Sequence, residues 1–100
     1  MVKHIILWQL KDEYSAEKKE EIKTDIKTNL EGLLGKVPGL TAIEVQTSRL
    51  ASSNADLMLY SEFESEEALK GYAIHPDHVY VADTFVRPFT ASRSCLDFEV

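Results

Sequence analysis

The stretch Lys3-His4-Ile5-Ile6-Leu7-Trp8-Gln9-Leu10 decides how this chain folds. Isoleucine, leucine and tryptophan dominate it and charged residues follow it, a pattern typical of a β-strand. Strand side chains alternate between the two faces of a sheet. The two sets are His4, Ile6, Trp8 and Leu10 on one face, and Ile5, Leu7 and Gln9 on the other. Both faces are mainly apolar, so we predict a strand that is covered on both sides.

Residues 57–64 show the same double-sided pattern. Their alternating sets are Leu57, Leu59, Ser61 and Phe63, and Met58, Tyr60, Glu62 and Glu64. Residues 40–49 and 93–99 are two further strand candidates, each with alternating apolar positions. The polar segment 50–56 contains Ser52-Ser53-Asn54, which suits a loop between antiparallel strands.

Residues 15–35 have the periodicity of a helix. Their apolar residues recur at three- and four-residue steps, at Ile22, Ile26, Leu30, Leu33 and Leu34. Ser15 is a suitable N-cap, and Gly35 is a suitable C-cap. We therefore predict one amphipathic helix that packs a single stripe against the sheet.

A second helical region starts at Ser65, an N-cap candidate that two glutamates follow. It extends to about Ile74, because Pro76 disfavours the helical conformation at His75. Pro76 also suits the first position of a new helix, which we expect to end before Pro88. The sequence therefore predicts a proline break between two helical segments.

The predicted order is strand, helix, strand, strand, helix, strand. The handedness of crossover connections places both helical regions on one face of a four-stranded antiparallel sheet, so the fold class is α+β. The other face would be a large apolar patch, which soluble monomers rarely expose. We therefore predict a symmetric homodimer with the two sheets packed face to face. A cavity between those sheets could hold a small ligand.

Size and composition narrow the function. One hundred residues form one domain, residues 1–100, and a net charge of −6 argues against nucleic acid and anionic membranes as partners. Cys95 is the only cysteine, so no disulfide framework can form within one chain, which suits a reducing cytoplasm. The apolar run 5–8 is too short for a signal peptide or a membrane span.

Four motifs resemble the stress-responsive A/B barrel domain family, called Dabb. They are Val2-Lys3-His4-Ile5-Ile6-Leu7, Leu59-Tyr60-Ser61-Glu62-Phe63-Glu64-Ser65-Glu66-Glu67-Ala68-Leu69, Tyr72-Ala73-Ile74-His75-Pro76-Asp77-His78-Val79 and Leu96-Asp97-Phe98-Glu99. The resemblance spans nearly the whole chain. It implies a ferredoxin-like βαββαβ fold that forms a dimeric α/β barrel, in agreement with the packing argument.

The resemblance also suggests site residues. One family member is a cofactor-free polyketide cyclase, in which a tyrosine and a histidine of the Tyr-x-x-His-Pro-x-His segment serve an aldol condensation. The matching positions here are Tyr72 and His78, and the family's first-strand histidine matches His4. The cyclase has a further histidine in its third strand, where this chain has Leu57.

We accordingly expect Tyr72 and His78 as catalytic candidates. An imidazole can take up a proton near neutral pH, and a phenol can donate a hydrogen bond to a developing oxyanion. The first and third strands supply the expected ligand contacts, which are His4, Trp8, Leu57 and Leu59.

Four functions remain open from the sequence. They are a barrel that binds a small apolar or aromatic ligand without catalysis, a cofactor-free cyclase or lyase, a cofactor-independent monooxygenase, and a dimer that only mediates interaction. No metal ion is expected, because Pro76 disrupts the helical spacing of His75 and His78 and no third ligand is evident. No cofactor is expected either, since the sequence contains nothing like a phosphate loop or a dinucleotide fingerprint.

Overall fold

The computed structural model describes every residue from Met1 to Val100. Four strands and three α-helices follow one another along the chain, in the order β1 (Val2–Leu10), α1 (Ala16–Glu31), β2 (Leu40–Gln46), β3 (Leu57–Phe63), α2 (Glu66–Ile74), α3 (Pro76–Val81) and β4 (Thr90–Glu99). A π-helical turn (Ala82–Val86) and a 3-10 turn (Arg87–Phe89) connect α3 to β4.

The four strands form one antiparallel sheet in the order β2-β3-β1-β4. Strands β1 and β3 are therefore the two central strands, which explains why both carry apolar residues on both faces. The helices cover the face that receives the even-numbered residues of β1. The predicted α+β ferredoxin-like architecture, with helices on one face, is confirmed.

The core lies between the helices and the covered face of the sheet. Helix α1 buries Ile22, Ile26 and Leu30, as its periodicity predicted. They pack in a single cluster with residues of the central strands, among them Leu59 and Phe63. Full burial of each such side chain contributes roughly 1.5–3 kcal/mol, so this one interface accounts for most of the apolar driving force.

Local polar contacts set the helix ends. The Ser15 and Ser65 hydroxyls each accept a hydrogen bond from a backbone N–H three residues later, at 3.1 Å in both cases. Helix α1 ends at Glu31 rather than near Gly35. The chain beyond it tightens into turns with i to i+3 hydrogen bonds, and Gly35 has a φ of +88° that a left-handed turn requires.

Strand β4 is longer than predicted. It begins at Thr90 rather than near residue 93, because it pairs with β1 from Glu99 opposite Val2 to Thr90 opposite Leu10. The helical region also continues further than expected, since the 3-10 turn includes Pro88. A proline fits there because the first residues of a helical turn need no N–H hydrogen bond.

The sheet face opposite the helices, called here the open face, is apolar and uncovered. Strand register places Ile5 between Tyr60 and Leu96, and Leu7 between Met58 and Ser94. Leu7 and Leu96 are 42% and 63% exposed. None of the helices combines the length and the hydropathy that crossing a bilayer requires.

Candidate functional site

A cavity of about 650 Å³ lies between the covered face of the sheet and the helical region that follows β3. Of its 21 lining residues, 12 are hydrophobic, so the interior favours an apolar ligand with a few polar contacts. The cavity belongs to a single protomer. Its position differs from the expected one between two packed sheets, because Tyr72 and His78 lie on helices that cover the opposite face.

One side of the cavity is formed by β4. Every residue of β4 after Thr90 is exposed, including Arg93, Cys95 and Asp97, which share the covered face with the cavity lining. The helices thus cover β1 and β3 but leave β4 accessible. A ligand can therefore approach along β4.

The proline break positions the two catalytic candidates. Helix α2 ends at Ile74, His75 is extended with φ −63° and ψ 131°, and Pro76 opens α3. The His75 Nδ1 atom accepts a hydrogen bond of 3.1 Å from the Asp77 N–H and so caps α3. The break brings the Tyr72 and His78 rings to 4.0 Å between centroids, although the two residues lie on different helices.

The Tyr72 hydroxyl is the most unusual polar group in the molecule. Tyr72 is only 2% exposed, and its hydroxyl oxygen has no hydrogen-bond partner. Burial raises the pKa of Tyr72 well above its ordinary range, with the positive charge of Arg93 opposing part of that rise. The phenol is therefore neutral and carries a proton that it can donate to a ligand.

His78 has the properties of a base. Burial lowers its pKa below the ordinary 6.5, partly opposed by a hydrogen bond to the Ala73 carbonyl, and the charge of Arg87 lowers it further. The Nδ1–H of His78 donates to the Ala73 carbonyl oxygen at 3.4 Å. Nε2 is then the nitrogen with a free lone pair, so neutral His78 can accept a proton at that atom.

His4 forms the opposite wall. It is 6% exposed, and its Nδ1 donates a hydrogen bond to the Asp97 carboxylate on the neighbouring strand. Its ring lies edge-on to Phe63 and Tyr72, at centroid distances of 6.3 and 6.0 Å. The Asp97 carboxylate therefore holds the imidazole in one orientation against the cavity.

The structure brings most of the predicted site residues together. The cavity is lined by Tyr72, His78, His4, Trp8 and Leu59. The remaining predicted contact, Leu57, does not line it. The Leu57 side chain is buried in the core beside the cavity, because the packing of the covered face leaves it no access to the empty space.

The lining residues that the sequence analysis missed include three on the covered face of β4: Arg93, Cys95 and Asp97. The alternation of polar residues along that strand was a usable signal, since it places these three on one face. Only the pairing of β4 with β1 shows that this face meets His4.

A comparison with protein families identifies the chain's relatives. The Stress responsive A/B Barrel Domain family matches residues 2–100. This chain belongs to that family. The match agrees with the four motifs noted above, and it covers the strands and helices that form the cavity.

An individual relative of this A/B barrel domain extends the comparison. A stress-response A/B barrel domain-containing protein of Arabidopsis thaliana is 31% identical over 99 residues, which are 98% of this chain and 36% of that protein. The chain therefore spans about a third of the length of this curated relative.

Solved structures share the fold. A dimeric ferredoxin-like protein of unknown function from Bacteroides fragilis is 33% identical, with a TM-score of 0.92 over 99% of this chain and 95% of that one. A dimeric ferredoxin-like protein of unknown function from Thermobifida fusca is 24% identical, with a TM-score of 0.81 over 99% and 90% of the two chains. Both structures are described as dimers.

The electrostatics of His78 predict a pH dependence of stability. The folded-state pKa of His78 is below its ordinary 6.5, so the unfolded chain binds more protons between those two values. The contribution of His78 to the free energy of unfolding is therefore lost as the pH falls through 6.5 towards the folded-state pKa. The free energy of unfolding of the His78→Gln variant, measured in urea titrations, should decline less steeply as the pH falls below 6.5. Parallel profiles for the two proteins would contradict this prediction.

Proposed function

We propose that this A/B barrel domain forms a homodimer and binds a small apolar or aromatic molecule that carries a hydrogen-bond acceptor, such as a carbonyl, in the cavity of each protomer. The unpartnered Tyr72 hydroxyl is the observation that carries this proposal. Leaving a buried hydroxyl without a hydrogen bond costs about 1–3 kcal/mol. A ligand acceptor would remove that cost. Tyr72 lines the cavity, so a small movement of its side chain would bring the hydroxyl to a bound ligand.

The size and composition of the cavity support the same proposal. A volume of about 650 Å³ lies within the roughly 300–1,000 Å³ that is usual for small-molecule sites. Apolar contact comes from Trp8 and Leu59, while Tyr72, His78 and His4 are the polar groups that would orient the ligand. This arrangement matches sites in which few polar groups fix an otherwise apolar ligand.

A second candidate function, cofactor-free aldol-type catalysis as a cyclase or lyase, is favoured by the contact between Tyr72 and His78. Neutral His78 would take the proton from the carbon beside a ligand carbonyl at Nε2. Tyr72 would donate its hydrogen bond to the enolate oxygen that forms. The enolate carbon would then attack a second carbonyl, and the proton on His78 would pass to the alkoxide.

The Tyr72→Phe variant tests the ligand proposal, and it should change stability and binding in opposite directions. Removing the unpartnered hydroxyl should stabilise the ligand-free protein by about 1 kcal/mol. The same change should weaken binding of a carbonyl-bearing aromatic ligand by roughly fivefold or more, since one hydrogen bond contributes about 1 kcal/mol. Trp8, the only tryptophan, lines the cavity, so its fluorescence can report both unfolding and ligand binding.

Tyr80→Phe is the matched control, because Tyr80 is 61% exposed and lies outside the cavity lining. This variant should leave ligand binding unchanged. If Tyr72→Phe bound every ligand from an aromatic carbonyl library as tightly as wild type, the proposed role of the hydroxyl would be wrong. The catalytic alternative has a separate readout, since His78→Gln should abolish turnover while retaining binding.

The open face supports the homodimer part of the proposal. It presents a continuous apolar surface, made of Ile5, Leu7, Met58, Tyr60, Leu96 and Phe98. Its polar groups are already paired, since Lys3 Nζ donates to the Tyr60 hydroxyl at 2.6 Å and lies 3.1 Å from the Glu62 carboxylate. A second copy packed on this surface would bury the apolar side chains without leaving that lysine unpaired.

A further inference from the structure

Three side chains of different chemistry converge on the covered face of the β1–β4 pair. His4 Nδ1, Cys95 Sγ and an Asp97 carboxylate oxygen all lie within 4.8 Å of one another. Cys95 Sγ is 3.9 Å from His4 Nδ1 and 3.5 Å from Asp97 Oδ1. A thiol, an imidazole and a carboxylate thus lie close enough together to contact one bound ion.

The sheet itself creates this convergence. Antiparallel register places Asp97 directly opposite His4, and Cys95 lies two residues earlier on the same face of β4. Two paired strands hold their side chains at nearly fixed separations. The three donors therefore stand on a rigid frame rather than on a loop, which favours a preformed site.

Two of the three donor separations are close to those of a tetrahedral ion. Zinc bonds of about 2.0–2.3 Å at tetrahedral angles separate neighbouring donor atoms by about 3.3–3.6 Å. The sulfur-to-oxygen distance of 3.5 Å falls in that range, and the sulfur-to-nitrogen distance of 3.9 Å is slightly larger. His4 Nδ1 and Asp97 Oδ1 are closer than that range because they share a hydrogen bond. These two side chains would have to move apart as that bond is exchanged for two bonds to the ion.

The donor set selects the class of metal. A thiolate with an imidazole suits zinc and related transition ions, whereas magnesium and calcium prefer oxygen ligands alone. A thiolate and a carboxylate together carry the charge that a divalent cation neutralises. Metal ions bind cysteine in its thiolate form, so binding should release the Cys95 thiol proton.

The location leaves one coordination position free. His4, Cys95 and Asp97 all line the cavity that also contains Tyr72 and His78. Three protein ligands with one open position are characteristic of catalytic rather than structural zinc sites. The open position would hold a water molecule or an oxygen atom of a ligand.

We propose that His4, Cys95 and Asp97 form a binding site for a divalent transition ion of the zinc class, with its fourth coordination position open to the cavity. These residues are distinct from the His75 and His78 pair, whose spacing led the sequence analysis to expect no metal. The site does not depend on the organic ligand proposed above, because the ion would bind the empty cavity. Each proposal can therefore fail without the other.

Cobalt(II) is the probe that tests the site, because its absorption spectrum reports both the geometry and a sulfur ligand. Titration of the purified, reduced protein should saturate at one equivalent per chain. It should produce intense tetrahedral ligand-field bands and a thiolate-to-cobalt charge-transfer band, and zinc should displace the cobalt. A non-saturating titration, or the weak spectrum of an octahedral ion, would overturn the proposal.

Variants assign the ligands. Cys95→Ser should remove the charge-transfer band, and Asp97→Asn should weaken binding by at least about tenfold, since loss of an outer-sphere partner alone costs about 10–100-fold. Both residues are exposed, so both variants should fold. Asp12→Asn, an exposed carboxylate outside the cluster, should bind cobalt as wild type does. Wild-type spectra from Cys95→Ser would exclude the site.

Replacing Arg93 tests the location of the ion through the direction in which cobalt affinity changes. Arg93 lies two residues before Cys95 on the same face of β4 and lines the same cavity, and a nearby positive charge opposes the binding of a cation. Arg93→Gln should therefore tighten cobalt binding by about threefold. Weaker binding in this variant would contradict the proposed location of the ion.

Discussion

Replacing Leu7 with lysine is expected to convert the proposed homodimer into a monomer. Leu7 lies near the middle of the open face, and a twofold axis would place the new charge in the interface twice. An unpaired charge buried in such an interface costs about 3–5 kcal/mol, which corresponds to association weaker by at least about a hundredfold. The side chain is 42% exposed in the isolated chain, so the monomer itself should still fold.

Light scattering over a dilution series measures this effect. Wild type should have twice the 11.3 kDa mass of the chain, and Leu7→Lys should have the mass of one chain. Leu34→Lys is the matched control, because Leu34 is 51% exposed and lies in the turns that follow α1, away from the open face. A dimeric Leu7→Lys protein would show that the copies meet through another surface.

Replacing Gly39 with alanine is expected to destabilise the fold by about 2–5 kcal/mol. Gly39 has a φ of +80°, a conformation that costs an L-residue about 1–2 kcal/mol. A β-carbon at this position would also lie 2.5 Å from the Ala68 β-carbon of α2. That overlap would force α2 away from the sheet, at a further cost of about 1–3 kcal/mol.

Gly35→Ala separates the two causes. Gly35 has a similar φ of +88°, but a β-carbon there would meet no atom within 4 Å. The free energy of unfolding of Gly35→Ala should therefore fall only by the cost of the left-handed backbone conformation, about 1–2 kcal/mol. Chemical denaturation followed by Trp8 fluorescence gives both values. Equal losses in the two variants would show that the approach of Ala68 carries no energetic consequence.

The order of elements could be read from the sequence because it depends on local chemistry. The apolar run in β1 and the three- and four-residue steps in α1 are properties of neighbouring residues. Pro76 likewise acts on His75 through a local steric clash. The predicted break at that position is confirmed by the extended His75 between α2 and α3.

The residues at which helices and strands begin and end were harder to predict from the sequence. Residues after Glu31 still carry apolar side chains at helical spacing, so periodicity extended the predicted α1 to Gly35. The backbone instead tightens, because Gly35 adopts a left-handed conformation and the chain must turn towards β2. The start of β4 depended on its partner, since pairing with β1 extends it back to Thr90.

Some residues of the candidate site could likewise be predicted from the sequence, and others could not. Tyr72 and His78 could be proposed in advance because a short motif contains both. The Asp97 partner of His4 could not, since 93 residues separate the two and spacing along the chain carries no information about strand register. Leu57 was assigned to the ligand from its strand alone, and its burial in the core depends on packing around it.

By itself, the sequence determined the strands, the helices, the proline break and the need to cover both faces of β1, because each follows from local periodicity or local sterics. Only the tertiary structure decided which face holds the cavity and which side chains meet there. The pairing of β4 with β1 brings Cys95 and Asp97 to His4, and the break between α2 and α3 turns His78 onto Tyr72. Both are contacts between distant or differently oriented segments, and such contacts are set by packing rather than by neighbouring residues.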